Sequence, residues 1–302
     1  MQKLKVKIGK LELNNPIMPA SGTFGYGKEF ARFFDINNLG AIVTKGLSLY
    51  PKTGNIPPRI YEGGKYLMNA IGLENIGFER FLEEIIPFYE NLNCAIIVNC
   101  FGNSEDEYYI LAEKLNNLQE IDALEVNVSC PNVKKGAIEF GTDLDMLYIL
   151  TKNIKKIADK KSVIVKISPM LSNIAETGKV LEEAGADAIT AVNTMKGIAI
   201  NTDNFKYMLG NVTGGISGQC LKPVALRIVK ELIENISIPV IGVGGIFNIN
   251  DAVEFFAMGA TAVQIGTANF INPMIMIDLI DKLSKFMDSS NIKSVNEIKN
   301  KI

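Results

Sequence analysis

Short apolar runs rich in Val, Ile and Ala recur along the chain. Each run ends in polar residues or glycine, and the stretches between runs show apolar residues at helical spacing. The runs cover residues 16–20, 41–44, 95–98, 123–126, 163–165, 188–192, 239–243 and 262–265. Eight such units predict eight parallel strands with helical crossovers, the α/β architecture of a (β/α)8 or TIM barrel. The alternative is an open doubly wound sheet, which does not require eight evenly spaced units.

The segments between the runs predict the helices of the barrel. Apolar residues at helical spacing occur over residues 79–92, 104–118, 143–158, 175–184, 223–233 and 250–258. Gly185 and Gly259 are each followed by Ala, which indicates that two of these helices end in a glycine C-cap before the next strand.

Two segments depart from a minimal barrel. Residues 4–7 and 11–13 predict a short N-terminal hairpin that covers one mouth of the barrel. Residues 196–218, after the sixth run, are rich in glycine and lack a clear helical period. An irregular connection of this length is usually functional, so we expect an extended loop on the catalytic face. Because no linker or low-complexity stretch divides the chain, residues 1–302 are expected to form a single domain.

Composition excludes several classes of function. The chain has 31 Lys and Arg against 33 Asp and Glu, a near-balance that argues against a protein that neutralises many nucleic-acid phosphates. No His occurs, which excludes Ser-His-Asp catalysis and imidazole metal sites. The four cysteines have no CxxC spacing, and the N-terminus lacks the apolar core of a signal peptide or membrane span. These features predict a cytoplasmic protein with reduced thiols.

Polar side chains follow the predicted strands, and in a TIM barrel the carboxyl ends of the strands carry the active site. The set comprises Ser21, Lys45, Asn99, Asn127, Cys130, Asn132, Lys166, Asn193 and Thr194, with glycines at 244, 245 and 266. It lacks the paired carboxylates of a glycosidase and the carboxylate cluster of a magnesium site. It suits a planar, anionic, hydrogen-bonding ligand, and difficult chemistry there would require a cofactor.

Glycines follow the last two predicted strands, where barrels of this kind usually bind phosphate. Residues 242–245 and 266–267 would let backbone N–H groups approach an anion, although such glycines can also serve only to make tight turns. Lys45 and Lys166 are either surface residues or ligands to the polar edge of a bound ring.

Cys130 differs from the other cysteines because it lies past the fourth run, directly before Pro131 and between carboxamides. Without His, a thiol is one of the few groups here that could titrate near neutral pH. The alternative is an inert core thiol, which is our interpretation of Cys94, Cys100 and Cys220.

Four motifs are specific when they are taken together. They are PASGTFG at 19–25, NAIGL at 69–73, NVSCPN at 127–132 and GVGGI at 242–246. In this order, and over essentially the whole chain, they resemble the dihydroorotate dehydrogenases and among these the class 1B catalytic subunits. GVGG alone would be a weak signal.

The resemblance implies oxidation of (S)-dihydroorotate to orotate in the synthesis of UMP, on FMN bound in a TIM barrel. FMN would be held by Ser21, Lys45, Gly46, Asn99, Asn127, Lys166, Val192, Gly218, Gly244, Gly245, Gly266 and Thr267. Substrate would be held by Lys45, Asn69, Ala70, Ile71, Gly72, Leu73, Asn127, Asn193 and Thr194. Cys130 would be the catalytic base, which takes a proton from C5 while hydride passes from C6 to FMN. The resemblance implies no metal site on this chain.

The class of enzyme decides the electron acceptor. Class 1B enzymes pass electrons to NAD+ through a partner subunit with FAD and a [2Fe–2S] cluster, in a heterotetramer of two catalytic and two electron-transfer chains. This chain has no cluster-type cysteine spacing, so those cofactors would belong to the partner. Class 1A enzymes also use Cys but reduce fumarate, whereas class 2 enzymes have a hydrophobic N-terminal extension and a Ser base.

Two further alternatives remain open at this point. A tRNA dihydrouridine synthase is another FMN barrel with a Cys-Pro after strand four, but it would require a basic surface or an added RNA-binding domain. A catalytically silent barrel that binds a phosphorylated ligand or acts as a scaffold is also compatible with the fold, because function depends on the site.

Overall fold

The computed structural model describes residues 2–129, 131–132 and 138–301. Eight parallel strands form the predicted (β/α)8 barrel, which is thereby confirmed. They are β1 (Ile17–Pro19), β2 (Ala41–Val43), β3 (Ala95–Cys100), β4 (Ala123–Asn127), β5 (Ser162–Ile167), β6 (Ala188–Ala191), β7 (Val240–Val243) and β8 (Ala262–Ile265). From β2 to β8 each strand pairs with the next in chain order, and β8 pairs with β1.

The ring closes between β1 and β2 through a close backbone approach at Gly40. The N–H of Gly40 donates to the carbonyl of Ile17 at 2.9 Å. A Cβ at position 40 would lie 2.2 Å from the carbonyl oxygen of Asn15, so only glycine lets the two segments come this close.

Most side chains of the barrel strands are apolar on both faces, because helices cover the outside and side chains fill the inside. All six residues of β5 are buried, and Val165 at its centre pairs with Val126 of β4 and Ile189 of β6. Since the strands run in one direction, their carboxyl ends meet at one mouth of the barrel, where the candidate site lies.

Helices alternate with the strands. They are α1 (Gly77–Glu84), α2 (Ile86–Tyr89), α3 (Glu105–Asn116), α4 (Leu144–Ile157), α5 (Ile174–Glu183), α6 (Lys222–Ile233), α7 (Ile249–Ala257), α8 (Ala268–Ile271) and α9 (Ile275–Ser289). Short 3-10 helices cover Gln2–Leu4, Phe30–Arg32, Ile36–Asn38, Phe140–Thr142, Gln219–Leu221 and Val295–Lys301. Within the described residues, no helix is both long and apolar enough to cross a bilayer.

The helix boundaries agree with the sequence except at the first helix. The predicted helix over residues 79–92 is divided into α1 and α2, because Pro87 has no N–H to donate to the carbonyl four residues earlier. The C-caps at Gly185 and Gly259 are confirmed, with φ values of 90° and 103° that favour glycine. Helices α8 and α9 were not among the predicted segments.

The N-terminal hairpin pairs Val6–Ile8 with Leu11–Leu13 and closes the mouth opposite the candidate site. Its turn residue Lys10 donates its backbone N–H to Oγ of Ser162, the first residue of β5, at 3.0 Å. The prediction that a hairpin covers one mouth is therefore confirmed, and this mouth is the one at the amino ends of the strands.

The glycine-rich segment after β6 lies at the predicted place, but it contains strands where an irregular loop was expected. Met195–Ile198 and Thr213–Ser217 join Tyr66–Asn69 and Ile60–Gly63 in a four-stranded antiparallel sheet, which we call the cover sheet. A small hairpin of Ile200–Asn201 and Lys206–Tyr207 extends from it.

The high glycine content of this segment indicated a loop, because glycines often mark turns. Here the glycines lie within strands, where they permit close packing. A Cβ at Gly197 would lie 2.4 Å from Cδ1 of Ile216, and a Cβ at Gly215 would lie 2.2 Å from Oγ1 of Thr194. The backbone of the cover sheet can therefore approach its neighbours only without side chains at these positions.

Candidate active site

A cavity of about 830 Å3 opens at the carboxyl ends of the barrel strands, beneath the cover sheet. Every residue that the sequence assigned to cofactor or substrate binding borders this cavity. These are Ser21, Lys45, Gly46, Asn69, Ala70, Ile71, Gly72, Leu73, Asn99, Asn127, Lys166, Val192, Asn193, Thr194, Gly218, Gly244, Gly245, Gly266 and Thr267. The structure thus brings both groups together around one space, and their roles as ligands stay predictions. Cys130 lies outside the described residues.

Glycine occupies the turns after β7 and β8 for different structural reasons. Gly244 and Gly245 have φ values of 133° and 70°, and a Cβ at Gly245 would lie 2.7 Å from Cβ of Lys222. The backbone therefore requires glycine at these two positions, with or without a ligand. At Gly266 an added Cβ would meet only Ala20, at 3.5 Å, and Thr23, at 4.0 Å. Protein packing does not explain that glycine, and the room beside it belongs to the cavity.

A buried polar network lies inside the barrel, directly below the cavity. At its centre is Glu125 of β4, which has no solvent-exposed surface. Its Oε1 accepts from Nδ2 of Asn99 at 2.7 Å and lies 3.5 Å from Nζ of Lys166. Its Oε2 accepts from Oγ1 of Thr190 at 2.8 Å and from Nε2 of Gln264 at 2.5 Å. Side chains from four other strands therefore meet at the carboxylate of Glu125.

Sequence reasoning missed Glu125, Thr190 and Gln264, because each lies within an apolar run and was counted as strand. A signal was present, since a carboxylate in a strand buried on both faces needs partners inside the barrel. Alternation also places Glu125 on the same face as Asn127, two residues closer to the cavity.

The two lysines of the site have different electrostatic surroundings. Nζ of Lys166 donates to Oε1 of Gln264 at 3.1 Å and is paired with Glu125. Lys45 is half-buried at the cavity wall and forms no ion pair with any residue that the structure describes. Of these two lysines, Lys45 is therefore the one whose positive charge no described residue compensates, so it suits an anionic ligand group.

Asn99 presents an unused acceptor to the cavity. Its side chain is 1% exposed, and its Nδ2 is committed to Glu125. Its Oδ1 is buried and has no hydrogen-bond partner among the described residues. A buried acceptor without a donor is costly, so this atom suits a ligand that offers an N–H group.

Carboxamides and hydroxyls line the part of the cavity near β4 and β6. Nδ2 of Asn193 donates to Oδ1 of Asn127 and to Oγ of Ser129, both at 3.2 Å. The hydroxyl of Tyr108 donates to the backbone carbonyl of Asn127 at 2.6 Å and holds this end of β4 in place. Because carboxamides offer both donors and acceptors, this wall suits the amide and carbonyl edges of a small heterocycle.

Residues 69–73 pass from the cover sheet along the cavity wall, where sequence patterning alone indicated only a loop. Gly72 and Leu73 both have positive φ, 76° and 59°. Asn55 holds the segment by donating its N–H to the carbonyl of Ile71 at 3.0 Å and its Nδ2 to that of Ala70 at 3.1 Å. Neither backbone N–H of Gly72 or Leu73 donates to another described residue, and both residues border the cavity.

The remaining cysteines are distinct from this site. Cys94 and Cys100 are buried as expected, and burial raises the pKa of the Cys94 thiol to about 12, which leaves it inert. The interpretation of Cys220 as a core residue is wrong, because its side chain is exposed on the short 3-10 helix before α6. No group of His, Cys, Asp and Glu in the described part of the chain could hold a metal ion.

Comparisons with known proteins agree with the motifs. The family model described as dihydroorotate dehydrogenase matches residues 3–287. A protein of Thermodesulfovibrio yellowstonii named dihydroorotate dehydrogenase B (NAD(+)), catalytic subunit, is 47% identical over 298 residues, which cover 99% of this chain and 98% of that protein. Proteins of the same name from Geotalea uraniireducens and Thermoanaerobacter sp. are 46% and 45% identical, over 98% of this chain and 96% and 97% of theirs. This chain belongs to the dihydroorotate dehydrogenase family.

Proposed function

We propose that this chain oxidises (S)-dihydroorotate to orotate, a step in the synthesis of pyrimidine nucleotides, with one bound FMN. The observation that carries the proposal is a cavity at the carboxyl mouth, which is bordered by all the binding residues that the family resemblance assigns. Relatives of nearly equal length are named as catalytic subunits of a dihydroorotate dehydrogenase.

The residues of the cavity fit FMN. The unpartnered Oδ1 of Asn99 suits the N–H donor of a flavin ring, and Lys166 beside it suits the ring's carbonyl oxygens. The open space at Gly266, next to the turn at Gly244 and Gly245, suits the phosphate. When bound, FMN would supply the hydride acceptor, which no side chain of this chain can provide.

The chain's own residues would bind and orient the substrate. The free charge of Lys45 and the N–H groups of Gly72 and Leu73 suit the carboxylate of dihydroorotate. Asn127 and Asn193 suit the amide and carbonyl groups of its ring, and residues of the cover sheet border the same cavity. Asn69, Ala70, Ile71 and Thr194 would complete the substrate site.

Cys130 would be the base that removes the proton from C5 of dihydroorotate. The support is its position in the NVSCPN motif, directly after the described residues 127–129 that border or adjoin the cavity. Ser21, Gly46, Val192, Gly218 and Thr267 would complete the FMN site, as the motifs assign them.

A partner subunit would carry electrons onward to NAD+. The names of the relatives, which combine NAD(+) with "catalytic subunit", support this route. We propose a heterotetramer of two catalytic and two electron-transfer chains, with FAD and a [2Fe–2S] cluster on the latter, in the cytoplasm. The free thiols of Cys94 and Cys220, within the part of the chain that the structure describes, are in keeping with a reducing compartment.

Steady-state turnover with two acceptors tests the proposed route. The chain should be purified alone and together with its co-expressed electron-transfer subunit, and orotate formation followed with NAD+ or fumarate. We expect NAD+ reduction only with the partner present, and none with fumarate. Fumarate-dependent turnover by the isolated chain would instead place the protein in class 1A.

A further inference from the structure

Glu125 is a buried carboxylate that does not border the cavity but contacts two residues that do. Asn99 and Lys166 line the cavity from below, and Glu125 binds Nδ2 of the first and lies 3.5 Å from Nζ of the second. With none of its surface exposed, it can influence a ligand only through these neighbours.

The hydrogen bonds around Glu125 are those of an ionised carboxylate. The groups that reach its two oxygens are an amide NH2 of Asn99, an amide NH2 of Gln264 and the hydroxyl of Thr190. The orientation of the Gln264 amide is also defined, because its Oε1 accepts a hydrogen bond from Nζ of Lys166. An ionised carboxylate accepts at both oxygens, and the ammonium of Lys166 compensates its charge.

This arrangement has two consequences for the cavity. Because Nδ2 of Asn99 is bound to Glu125, the amide cannot rotate freely, and its Oδ1 is the atom left without a partner. Because the charge of Glu125 lies close to Lys166, the cavity experiences less positive potential there than a lone ammonium would produce. The electrostatic effect is stronger at these buried positions than at the surface, because charges are less screened there.

We propose that Glu125 is a positioning residue that fixes the Asn99 acceptor and lowers the reduction potential of the flavin that Lys166 would hold. The inference rests on the proposed FMN site. Reduction adds negative charge to the flavin ring, and a lone Lys166 would favour that charge. Glu125 offsets part of this attraction, so that the reduced flavin gives up its electrons more readily to the next acceptor.

The decisive measurement is the two-electron reduction potential of bound FMN in Glu125→Gln. Glutamine keeps the shape of the side chain but removes its charge. We expect the ratio of reduced to oxidised flavin at a fixed potential to rise about tenfold, which corresponds to about 30 mV for a two-electron couple. A role confined to packing would lower stability and leave the potential unchanged.

Two further variants separate this effect from general changes in charge. Asp122→Asn removes a carboxylate three residues earlier in the chain, about 10 Å away at the amino end of β4, and should not shift the potential. The exchange Glu125→Gln with Gln264→Glu moves the carboxylate to the other neighbour of Lys166 and should restore the wild-type potential.

An unchanged potential in Glu125→Gln, or an equal shift in Asp122→Asn, would overturn the inference. If Glu125→Gln fails to retain FMN, the exchange variant decides: a wild-type potential supports the role of the charge, and a shift of about 30 mV or loss of FMN contradicts it. Failure of the wild-type protein to bind FMN would contradict the proposed function itself, so the two failures are distinguishable.

Discussion

Single residues of the same type have different environments in this cavity. Lys45 forms no ion pair within the described residues, whereas Lys166 is held by Glu125 and Gln264. The first lysine is therefore suited to attract an anionic substrate, and the second to contact a ring whose charge changes during the reaction. The sequence alone does not distinguish the two lysines, because each is a cation at or near the carboxyl end of a barrel strand.

Replacing Cys130 by Ala should slow reduction of the bound flavin by dihydroorotate about 10²–10⁴ fold, because a general base would be lost. Single-turnover absorbance measurements under anaerobic conditions would give this rate. Cys220→Ser is the matched control, since it removes an exposed thiol away from the proposed chemistry and should leave the rate unchanged. A wild-type rate in Cys130→Ala would show that another group takes the proton.

Gly266→Ala should weaken FMN binding about tenfold or more, close to 1.4 kcal/mol, without unfolding the protein. The new methyl group would enter the cavity and meet protein only at ordinary contact distances, 3.5 Å from Cβ of Ala20 at the closest. Fluorescence titration of the apoprotein with FMN measures the affinity, and thermal unfolding of the apoprotein is the internal control. Unchanged affinity would mean that the phosphate lies elsewhere.

At the residue scale, motifs located the cavity wall but not the network below it. The family motifs name residues that touch ligands, and all of those in the described part of the chain border one cavity. Thr190 and Gln264 each donate a hydrogen bond to Glu125 inside the barrel, from strands far apart in sequence. A pattern read along the chain cannot show which distant strands will place polar side chains face to face.

At the scale of elements, the cover sheet is the feature that distinguishes this barrel from a minimal one. It joins a connection after β2 to the connection after β6, and Tyr66–Asn69 pairs with Thr213–Ser217 across it. Asn69, the last residue of its strand, donates Nδ2 to the carbonyl of Gly215 at 3.4 Å, and both residues border the cavity.

Gly215→Ala should raise the KM for dihydroorotate on the order of tenfold or more while FMN stays bound. Its Cβ would lie 2.2 Å from Oγ1 of Thr194, which must move away from the proposed substrate position. Ile200→Ala is the control, because Ile200 lies exposed on the small hairpin of the same segment. Equal KM values in all three proteins would remove Thr194 and the cover sheet from substrate binding.

The periodicity of apolar residues predicted the strands and helices of the barrel better than it predicted the cover sheet. The eight strands and most helices follow from apolar runs and 3.6-residue spacing, because burial of those faces holds the barrel together. The strands of the cover sheet are half-exposed, short and interrupted by glycine, so they carry no comparable pattern. The break between α1 and α2 could have been predicted from Pro87.

At the scale of the whole molecule, the residues that stabilise the barrel lie apart from the residues assigned to binding. The hairpin closes the amino mouth, and the apolar core fills the interior up to the network around Glu125. The polar residues assigned to binding lie at the opposite, carboxyl mouth. Substitutions at the cavity wall are therefore expected to change binding and rate more than they change the free energy of unfolding.

Anaerobic titration of the FMN-loaded protein with dihydroorotate tests the central claim most directly. We predict stoichiometric loss of the oxidised flavin absorbance, with one orotate formed for each FMN reduced. Dithionite serves as a control that the flavin is reducible. A flavin that is bleached by dithionite but not by dihydroorotate, with no orotate formed, would contradict the account.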